Sequence, residues 1–176
     1  MRSSVGLVGI LAILVAIGLG ATPPQTGELK APASIHTEHE EIHEALVALT
    51  KAEGSVGAAA KELASVLHPH FVREEELALP PLGLLGPLAA GTSPQGAAEA
   101  LKMADTLRQE MPRMLEEHKQ IRHAVETLQR VAREQRHAEG KSFAVTLALH
   151  AQMEEEVLYP AAILVGDVIR ARMPKR

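Results

Sequence analysis

The sequence predicts an all-α protein folded as an up-down-up-down four-helix bundle, and three observations support this fold class. Apolar residues make up 46% of the 176 residues, but there are only two phenylalanines, one tyrosine and no tryptophan. A core of Ala, Leu, Val and Ile beside many Glu, Lys and Arg side chains favours packed helices over sheets. Four segments repeat their apolar residues in steps of three and four, which is the period of one α-helical face. Short glycine-containing connections join the segments in pairs, so the helices of each pair are antiparallel neighbours.

The N-terminal segment predicts export. Residues 5–21 contain no polar side chain and follow Arg2, a pattern typical of a signal peptide or a single membrane anchor. We interpret residues 1–21 as this signal or anchor, residues 22–34 as a proline-rich linker, and residues 35–170 as the helical domain. The protein is therefore expected in a periplasmic or other extracytoplasmic space, with the N-terminal segment as its only contact with a membrane.

The composition excludes several classes of protein. No cysteine is present, which rules out disulfides, thiolate zinc sites and thiol catalysis. The net charge is −4, and the basic residues form no patch interleaved with aromatic side chains, so a nucleic-acid partner is not expected.

Each predicted helix carries one histidine on its apolar face, where a core residue would be expected. The four faces are Ile35, His39, Ile42, Leu46 and Leu49; Leu63, Leu67, His70, Glu74 and Leu77; Leu107, Met111, Met114, His118, Ile121, Val125 and Leu128; and Phe143, Leu147, His150, Glu154, Val157 and Ala161. The second and fourth faces also carry a glutamate four residues after the histidine, on the same side of the helix.

Capping residues, glycines and prolines predict where the helices begin, end or bend. Ser34 is placed to cap the first helix, while Gly54 with Gly57, and Gly140, are expected to separate the paired helices. Pro69 and Pro112 lie inside the second and third helices, where proline is expected to kink or restart a helix. Pro80 and Pro160 are expected to end or bend the second and fourth helices.

The two halves of the helical domain are similar in sequence. Residues 37–49 align with residues 116–128, which places His39 over His118. Residues 69–81 align with residues 149–161, which places His70 over His150. The chain is therefore a tandem repeat of helix pairs, and each half supplies one histidine and one His-x-x-x-Glu pair around a pseudo-twofold axis.

These histidines and glutamates predict a metal site. An ionised glutamate buried in a helix bundle is costly unless it is paired or binds a cation, and none of the four faces carries Lys or Arg. Nitrogen and oxygen ligands without sulfur suit iron, manganese or zinc. Four imidazoles, two bridging carboxylates and a bridging oxygen would give each of two metals five ligands and leave one position open for a small molecule.

The motifs "EHEEIHEAL", "HFVREEELALP", "EEHKQIRHAV" and "HAQMEEEVLYP" together resemble the four helices of hemerythrin-like domains, also called HHE cation-binding domains. The resemblance covers about residues 35–165 and implies a non-haem di-iron centre inside a four-helix bundle. It implies a set of four histidines and two glutamates as metal ligands, with the glutamates bridging the metals: His39, His70, Glu74, His118, His150 and Glu154. Two iron ions are the expected cofactor, ahead of manganese or zinc.

The sequence departs from the oxygen-carrying members of that family. Their third helix supplies two histidines four residues apart, but Arg122 stands four residues after His118. Their last helix uses a carboxylate five residues after its histidine, where Glu155 stands here beside Glu154. The four-histidine, two-glutamate variants of the family therefore fit better than a five-histidine oxygen carrier.

The resemblance implies a protein that binds or reacts with O2, NO or peroxide, and peroxide or NO reduction is the enzymatic form of that expectation. The alternative is an extracytoplasmic iron storage or delivery protein with a ferritin-like di-iron role. Ferritin-type sites use Glu-x-x-His on two helices. Only Glu40 with His43 has that spacing in the aligned repeat, so the ferritin-like fold ranks second.

The remaining histidines, methionines and glutamates, together with Tyr159, are not expected to be metal ligands. We interpret His36, His43, His68, His123 and His137 as surface or outer groups, and Met103, Met111, Met114 and Met153 as packing residues. Glu75 and Glu155 belong to a solvated face, with hydrogen bonding to a ligand imidazole as an alternative role. Tyr159 aligns with Leu79 and is expected to pack near the end of the bundle, with a redox or hydrogen-bonding role as the alternative.

Overall fold

A computed structural model describes residues 29–173, and its helical elements confirm the all-α fold class. The elements are α1 (Ala33–Thr50), α2 (Gly54–Arg73) with a π-helical turn (Glu74–Ala78), a 3-10 turn (Pro80–Leu84), α3 (Leu85–Ala89), α4 (Ala97–Glu134), α5 (Ala138–Met153) with a second π-helical turn (Glu154–Leu158), and α6 (Tyr159–Arg172). The range contains no β-strand. The predicted signal or anchor and most of the predicted linker lie outside the described residues. Between residues 29 and 173, no helix is both long enough and apolar enough to cross a bilayer.

The four-helix bundle is closed by contacts between neighbouring helices. α1 packs against α2 and α5, and α4 packs against α2, α5 and α6. Residues 51–53 connect α1 to α2, and residues 135–137 connect α4 to α5. Because these connections are so short, each pair of helices runs antiparallel, as the glycine positions predict. α5, its π-helical turn and α6 follow one another without a break and together form the fourth rod of the bundle.

Several predicted helix boundaries differ from the structure. α1 begins at Ala33, with Pro32 rather than Ser34 at its N-cap position. Gly57 and Gly140 lie within helices, and the N–H of Gly140 donates to Nδ1 of His137, which caps α5. The restarts expected at Pro69 and Pro112 do not occur, since α2 and α4 each run through their proline. A proline removes one backbone hydrogen bond, and packing of the helix on its neighbours outweighs that loss here.

The two π-helical turns shift the buried face of their helices. The N–H of Leu79 donates to the carbonyl of Glu74 at 2.9 Å, and the N–H of Tyr159 donates to the carbonyl of Glu154. Such i to i+5 bonds place an extra residue in the turn, so the face that an α-helix would continue is displaced by one position. The prediction that Val157 belongs to the apolar face was therefore wrong. Val157 is 54% exposed, whereas Tyr159 is fully buried.

The apolar core is divided into layers along the bundle. One cluster contains Ile42, Leu46, Leu63, Phe71 and Leu147, together with other apolar residues of the same layer. A second cluster lies beyond the π-helical turns and includes Leu79, Leu107, Met114 and Tyr159. A third cluster packs α3 against the end of α6. The histidines and glutamates of the predicted metal site lie in sequence between the residues of the first two clusters, so apolar layers flank them.

Gly166 gives a test of how closely the fourth rod packs against α4. A Cβ atom at Gly166 would lie 2.5 Å from Cβ of Ala104, a distance that requires one of the helices to move. We expect Gly166→Ala to destabilise the fold by roughly 1–3 kcal/mol and to lower Tm, measured by circular dichroism at the helical minimum. Gly86→Ala is the matched control, because a Cβ there would meet nothing within 4 Å. An unchanged Tm in Gly166→Ala would contradict this close packing.

Candidate metal centre

Six polar side chains lie deep in the bundle, and they are the six predicted metal ligands. Within residues 29–173 the buried polar and charged side chains are His39, His70, Glu74, His118, His150 and Glu154, each at most 2% exposed. Since water cannot solvate these groups, they must satisfy one another or hold a cation. The burial of all six in one region is the main structural observation on this protein.

Each of the four helical segments of the bundle contributes one or two side chains to this region. His39 comes from α1 and His118 from α4, each as a single inward residue. His70 and Glu74 are four residues apart at the junction of α2 and its π-helical turn, and His150 and Glu154 occupy the corresponding junction after α5. Residues at i and i+4 share a helical face, so each pair presents an imidazole and a carboxylate together.

The first set of converging atoms is the His70/His118 group, which consists of His70, His118, Glu74 and Glu154. Nε2 of His70 lies 2.8 Å from Nε2 of His118. Oε1 of Glu74 lies 3.5 Å from Nε2 of His70, and Oε2 of Glu154 lies 3.4 Å from Nε2 of His118. One ligand atom from each of these four residues lies within 4.8 Å of the others, so together they could hold one metal ion.

The second set is the His39/His150 group, which consists of His39, His150 and the facing oxygens of the same two glutamates. Oε1 of Glu154 lies 2.7 Å from Nε2 of His150 and 3.4 Å from Nε2 of His39. Oε2 of Glu74 lies farther away, 4.0 Å from Nε2 of His39. His39, His150 and Glu154 have ligand atoms within 4.8 Å of one another and could hold a second ion.

Both glutamates therefore lie between the two groups. Glu154 directs Oε2 to His118 and Oε1 to His39 and His150. Glu74 directs Oε1 to His70 and Oε2 to His39. Glu155, the neighbour of Glu154, is 26% exposed in its side chain and contacts the outer nitrogen, Nδ1, of His118. This geometry suits two bridging carboxylates, one from each half of the repeat.

The donor atoms fit bound metal ions. Seven buried side-chain atoms within residues 29–173 lack a partner in hydrogen-bond geometry, and six of them belong to the site: both ring nitrogens of His39 and His150, Oε2 of Glu74 and Oε1 of Glu154. Nε2 of His150 and Oε1 of Glu154 are only 2.7 Å apart, but they meet as an ion pair and not in the geometry of a hydrogen bond. Imidazole nitrogen and carboxylate oxygen are ligands that iron, manganese and zinc accept. A cation between these atoms would satisfy lone pairs that are otherwise buried without a partner.

The charges in the site are strongly coupled. Burial lowers the pKa of His70, but the carboxylates of Glu74 and then Glu117 outweigh burial and raise this pKa to about 9. Burial raises the pKa of Glu154, but the imidazoles of His118, His150 and His39 outweigh it and hold this pKa well below the usual range. In the metal-free protein, protonated imidazole therefore balances carboxylate charge. A bound cation would offset the carboxylate charge in place of these protons.

Four more carboxylates face the Nδ1 atoms of the four histidines. Oε2 of Glu117 lies 2.9 Å from Nδ1 of His70, and Oε1 of Glu155 lies 2.7 Å from Nδ1 of His118. In the His39/His150 group, Oε1 of Glu38 lies 3.3 Å from Nδ1 of His150. Oε1 of Glu75 lies 3.8 Å from Nδ1 of His39. A carboxylate on Nδ1 keeps the proton on that nitrogen and leaves the lone pair of Nε2 free for a metal.

Sequence reasoning named Glu75 and Glu155 as alternative partners of an imidazole, and it missed Glu38 and Glu117. The signal was present in the repeat, because a glutamate directly precedes both His39 and His118. Its meaning depended on tertiary structure, since Glu117 serves His70 and Glu38 serves His150, each on a different helix from its own.

Tyr159 lies within the site, contrary to its expected role in packing alone. Its hydroxyl donates a short hydrogen bond to Oε1 of Glu74 and lies 3.1 Å from Nε2 of His118 and 3.4 Å from Nε2 of His70. Burial, followed by the charges of Glu74 and Glu154, raises the pKa of Tyr159 far above its ordinary value, so the phenol stays protonated. Helical periodicity hid this contact, because the π-helical turn brings Tyr159 to the inner face.

The remaining histidines lie away from the six buried residues. His36, His43, His68 and His123 are exposed, and His137 is half-buried as the cap of α5. His36, His43 and His68 line a cavity of about 280 Å³ beside His39 and Phe71. The interpretation of these five histidines as surface or outer groups agrees with their exposure.

Comparison with known protein families gives one match. The family model described as "Hemerythrin HHE cation binding domain" matches residues 31–162, which is most of the chain and includes all six buried polar residues. No curated protein and no solved structure matches the chain closely enough to be counted as similar.

The assignment of the six residues can be tested by removing one histidine from each group. We expect the His70→Ala, His150→Ala double variant to lose most of its bound metal, because each group then keeps only one imidazole. Metal per chain would be measured by elemental analysis after reconstitution with ferrous iron. The matched control is His68→Ala, His123→Ala, in which both histidines are exposed. Wild-type metal content in the first double variant would disprove the assignment.

The outer carboxylates give a second test. Glu117→Gln removes the charge that faces Nδ1 of His70, so we expect metal affinity to fall roughly 10–100-fold. Affinity would be measured by competition with a chromophoric chelator. Glu116→Gln, at the exposed neighbouring position, is the control and should leave affinity unchanged. Equal affinities for the two variants would show that the carboxylate on His70 does not support metal binding.

Proposed function

The chain belongs to the hemerythrin HHE cation-binding domain family, and we propose that it holds two iron ions at the His70/His118 and His39/His150 groups and binds or reacts with O2, NO or peroxide there. The observation that carries this proposal is the burial of four histidines and two bridging glutamates as the polar interior of residues 29–173.

The grouping of the ligand atoms supports a pair of metals rather than one. As metal ligands the two buried glutamates would carry two negative charges, and within residues 29–173 the buried polar side chains include no Lys or Arg to offset them. Two groups of ligand atoms share Glu154 but use different histidines, so one ion placed in either group would leave the other imidazoles unused. Two cations use all six side chains.

The residues of this chain hold, orient and shield the site. Glu117 and Glu155 bond to Nδ1 of His70 and His118 and hold the proton there, while Glu38 and Glu75 lie farther from Nδ1 of His150 and His39. The apolar clusters on either side, which contain Leu63 and Phe71 in one layer and Leu107 and Met114 in the other, exclude bulk water. Bound iron would supply a redox-active Lewis acid with a position open to a small molecule.

The proposal predicts defined metal and ligand stoichiometries. We expect the full chain, reconstituted anaerobically with ferrous iron, to bind about two irons, because the ligand atoms form two groups. A visible absorption change that appears with O2 and reverses on its removal would support gas binding. Consumption of added peroxide or NO with turnover would support an enzyme acting at the same site.

The same experiment distinguishes the alternative role in iron storage or delivery. Uptake of iron well beyond two ions per chain, released by chelators without a spectrum of bound gas, would favour storage over the proposed function. Binding of fewer than two irons by a fully helical protein would contradict a di-iron site. Loading with manganese or zinc under the same conditions shows whether the donor set prefers iron.

A further inference from the structure

The two halves of the site differ at one pair of equivalent positions. Tyr159 follows Glu154 by five residues, and Leu79 follows Glu74 by five residues, each directly after a π-helical turn. Both side chains are buried. Tyr159 therefore brings a phenol oxygen to its end of the site, whereas the equivalent position in the first half carries only an apolar side chain.

The phenol oxygen belongs to the His70/His118 group. It lies within 3.4 Å of Nε2 of both histidines and bonds to the Glu74 oxygen that faces the same group. Because its proton is donated to Glu74, the lone pairs of the oxygen remain free toward the space between the two Nε2 atoms. Two imidazoles, two carboxylate oxygens and one phenol oxygen thus surround this position.

The His39/His150 group lacks a comparable fifth donor. All six site atoms without a hydrogen-bond partner belong to His39 and His150 or to the glutamate oxygens that face them. This group is also the one beside an open cavity, which has a volume of about 280 Å³ and is lined by His39, Phe71 and Glu75. The unsatisfied atoms and the cavity therefore lie on the same side of the site.

We propose that the hydroxyl of Tyr159 fills the remaining place at the His70/His118 group, so that an external small molecule binds at the His39/His150 group. The inference rests on the proposed di-iron function and adds to it which of the two ions takes the external ligand. The oxygen of Tyr159 contacts the metal at the His70/His118 group. The polar cavity beside His39 is the route by which a small anionic or diatomic ligand reaches the other metal.

Mössbauer spectroscopy of the full chain loaded with ferrous ⁵⁷Fe tests where the phenol lies. Tyr159→Phe removes only the hydroxyl, so we expect one of the two iron doublets to change and the other to stay as in the wild type. Leu79→Ile is the matched control, because it conserves volume at the equivalent position, adds no donor atom and should leave both doublets in place. Circular dichroism checks that each variant remains helical.

Azide binding to the oxidised protein tests which ion is open. We expect calorimetry to give about one azide per chain for the wild type, since only the His39/His150 group has an open place. Tyr159→Leu makes the two equivalent positions, 79 and 159, both leucine. Without the phenol oxygen, both groups have an open place, and the stoichiometry should rise to about two azides.

The outcomes separate this inference from the function on which it rests. Two irons per chain with both doublets unchanged in Tyr159→Phe, or with about one azide still bound in Tyr159→Leu, would overturn the role of Tyr159 alone. Two azides bound by the wild type would do the same. Failure of the wild type to bind two irons would overturn the proposed function itself, and the inference with it.

Discussion

Burial of the two carboxylates of Glu74 and Glu154 is the constraint on which the rest of the site depends. An ionised carboxylate inside a low-dielectric core costs several kcal/mol unless nearby groups offset its charge. Four imidazoles surround these two carboxylates, and the hydroxyl of Tyr159, which is buried with them, donates to Glu74. The imidazoles can offset the charge with protons, and they can also bind a cation beside the carboxylates. The same six side chains therefore serve as an internal salt cluster or as a metal site, according to what is bound.

The outer carboxylates extend this arrangement toward the surface. Each imidazole that faces the buried glutamates through Nε2 faces a second carboxylate through Nδ1, and the two shells follow the same repeat. Among the outer carboxylates within residues 29–173, arginines bond only to the two beside the His70/His118 group, since Arg113 bonds to Glu117 and Arg122 bonds to Glu155. The contacts of Glu117 and Glu155 are also shorter than those of Glu38 and Glu75. Glu38 and Glu75, the outer carboxylates beside the His39/His150 group, are therefore held more weakly.

The asymmetry continues inside the site and relates duplication to function. An exact twofold site would present two equivalent positions to a small molecule, with nothing to direct binding. Here one position is enclosed by Tyr159 and a tightly held outer shell, and the other borders a cavity with unsatisfied ligand atoms. Under the proposed function, such a difference would let one ion serve as a fixed partner while the other takes the external ligand.

The sequence by itself determined the all-α fold and the six inward side chains. Both follow from helical periodicity, which is a local property, and from a repeat that aligns His39 with His118 and His70 with His150. Only the tertiary structure decided the role of Tyr159 and the partners of the outer carboxylates. Tyr159 reaches the site because a π-helical turn changes the helical phase, and Glu117 meets His70 because two separate helices pack side by side. Neither the phase change nor the pairing between helices can be predicted from the spacing of apolar residues along one segment.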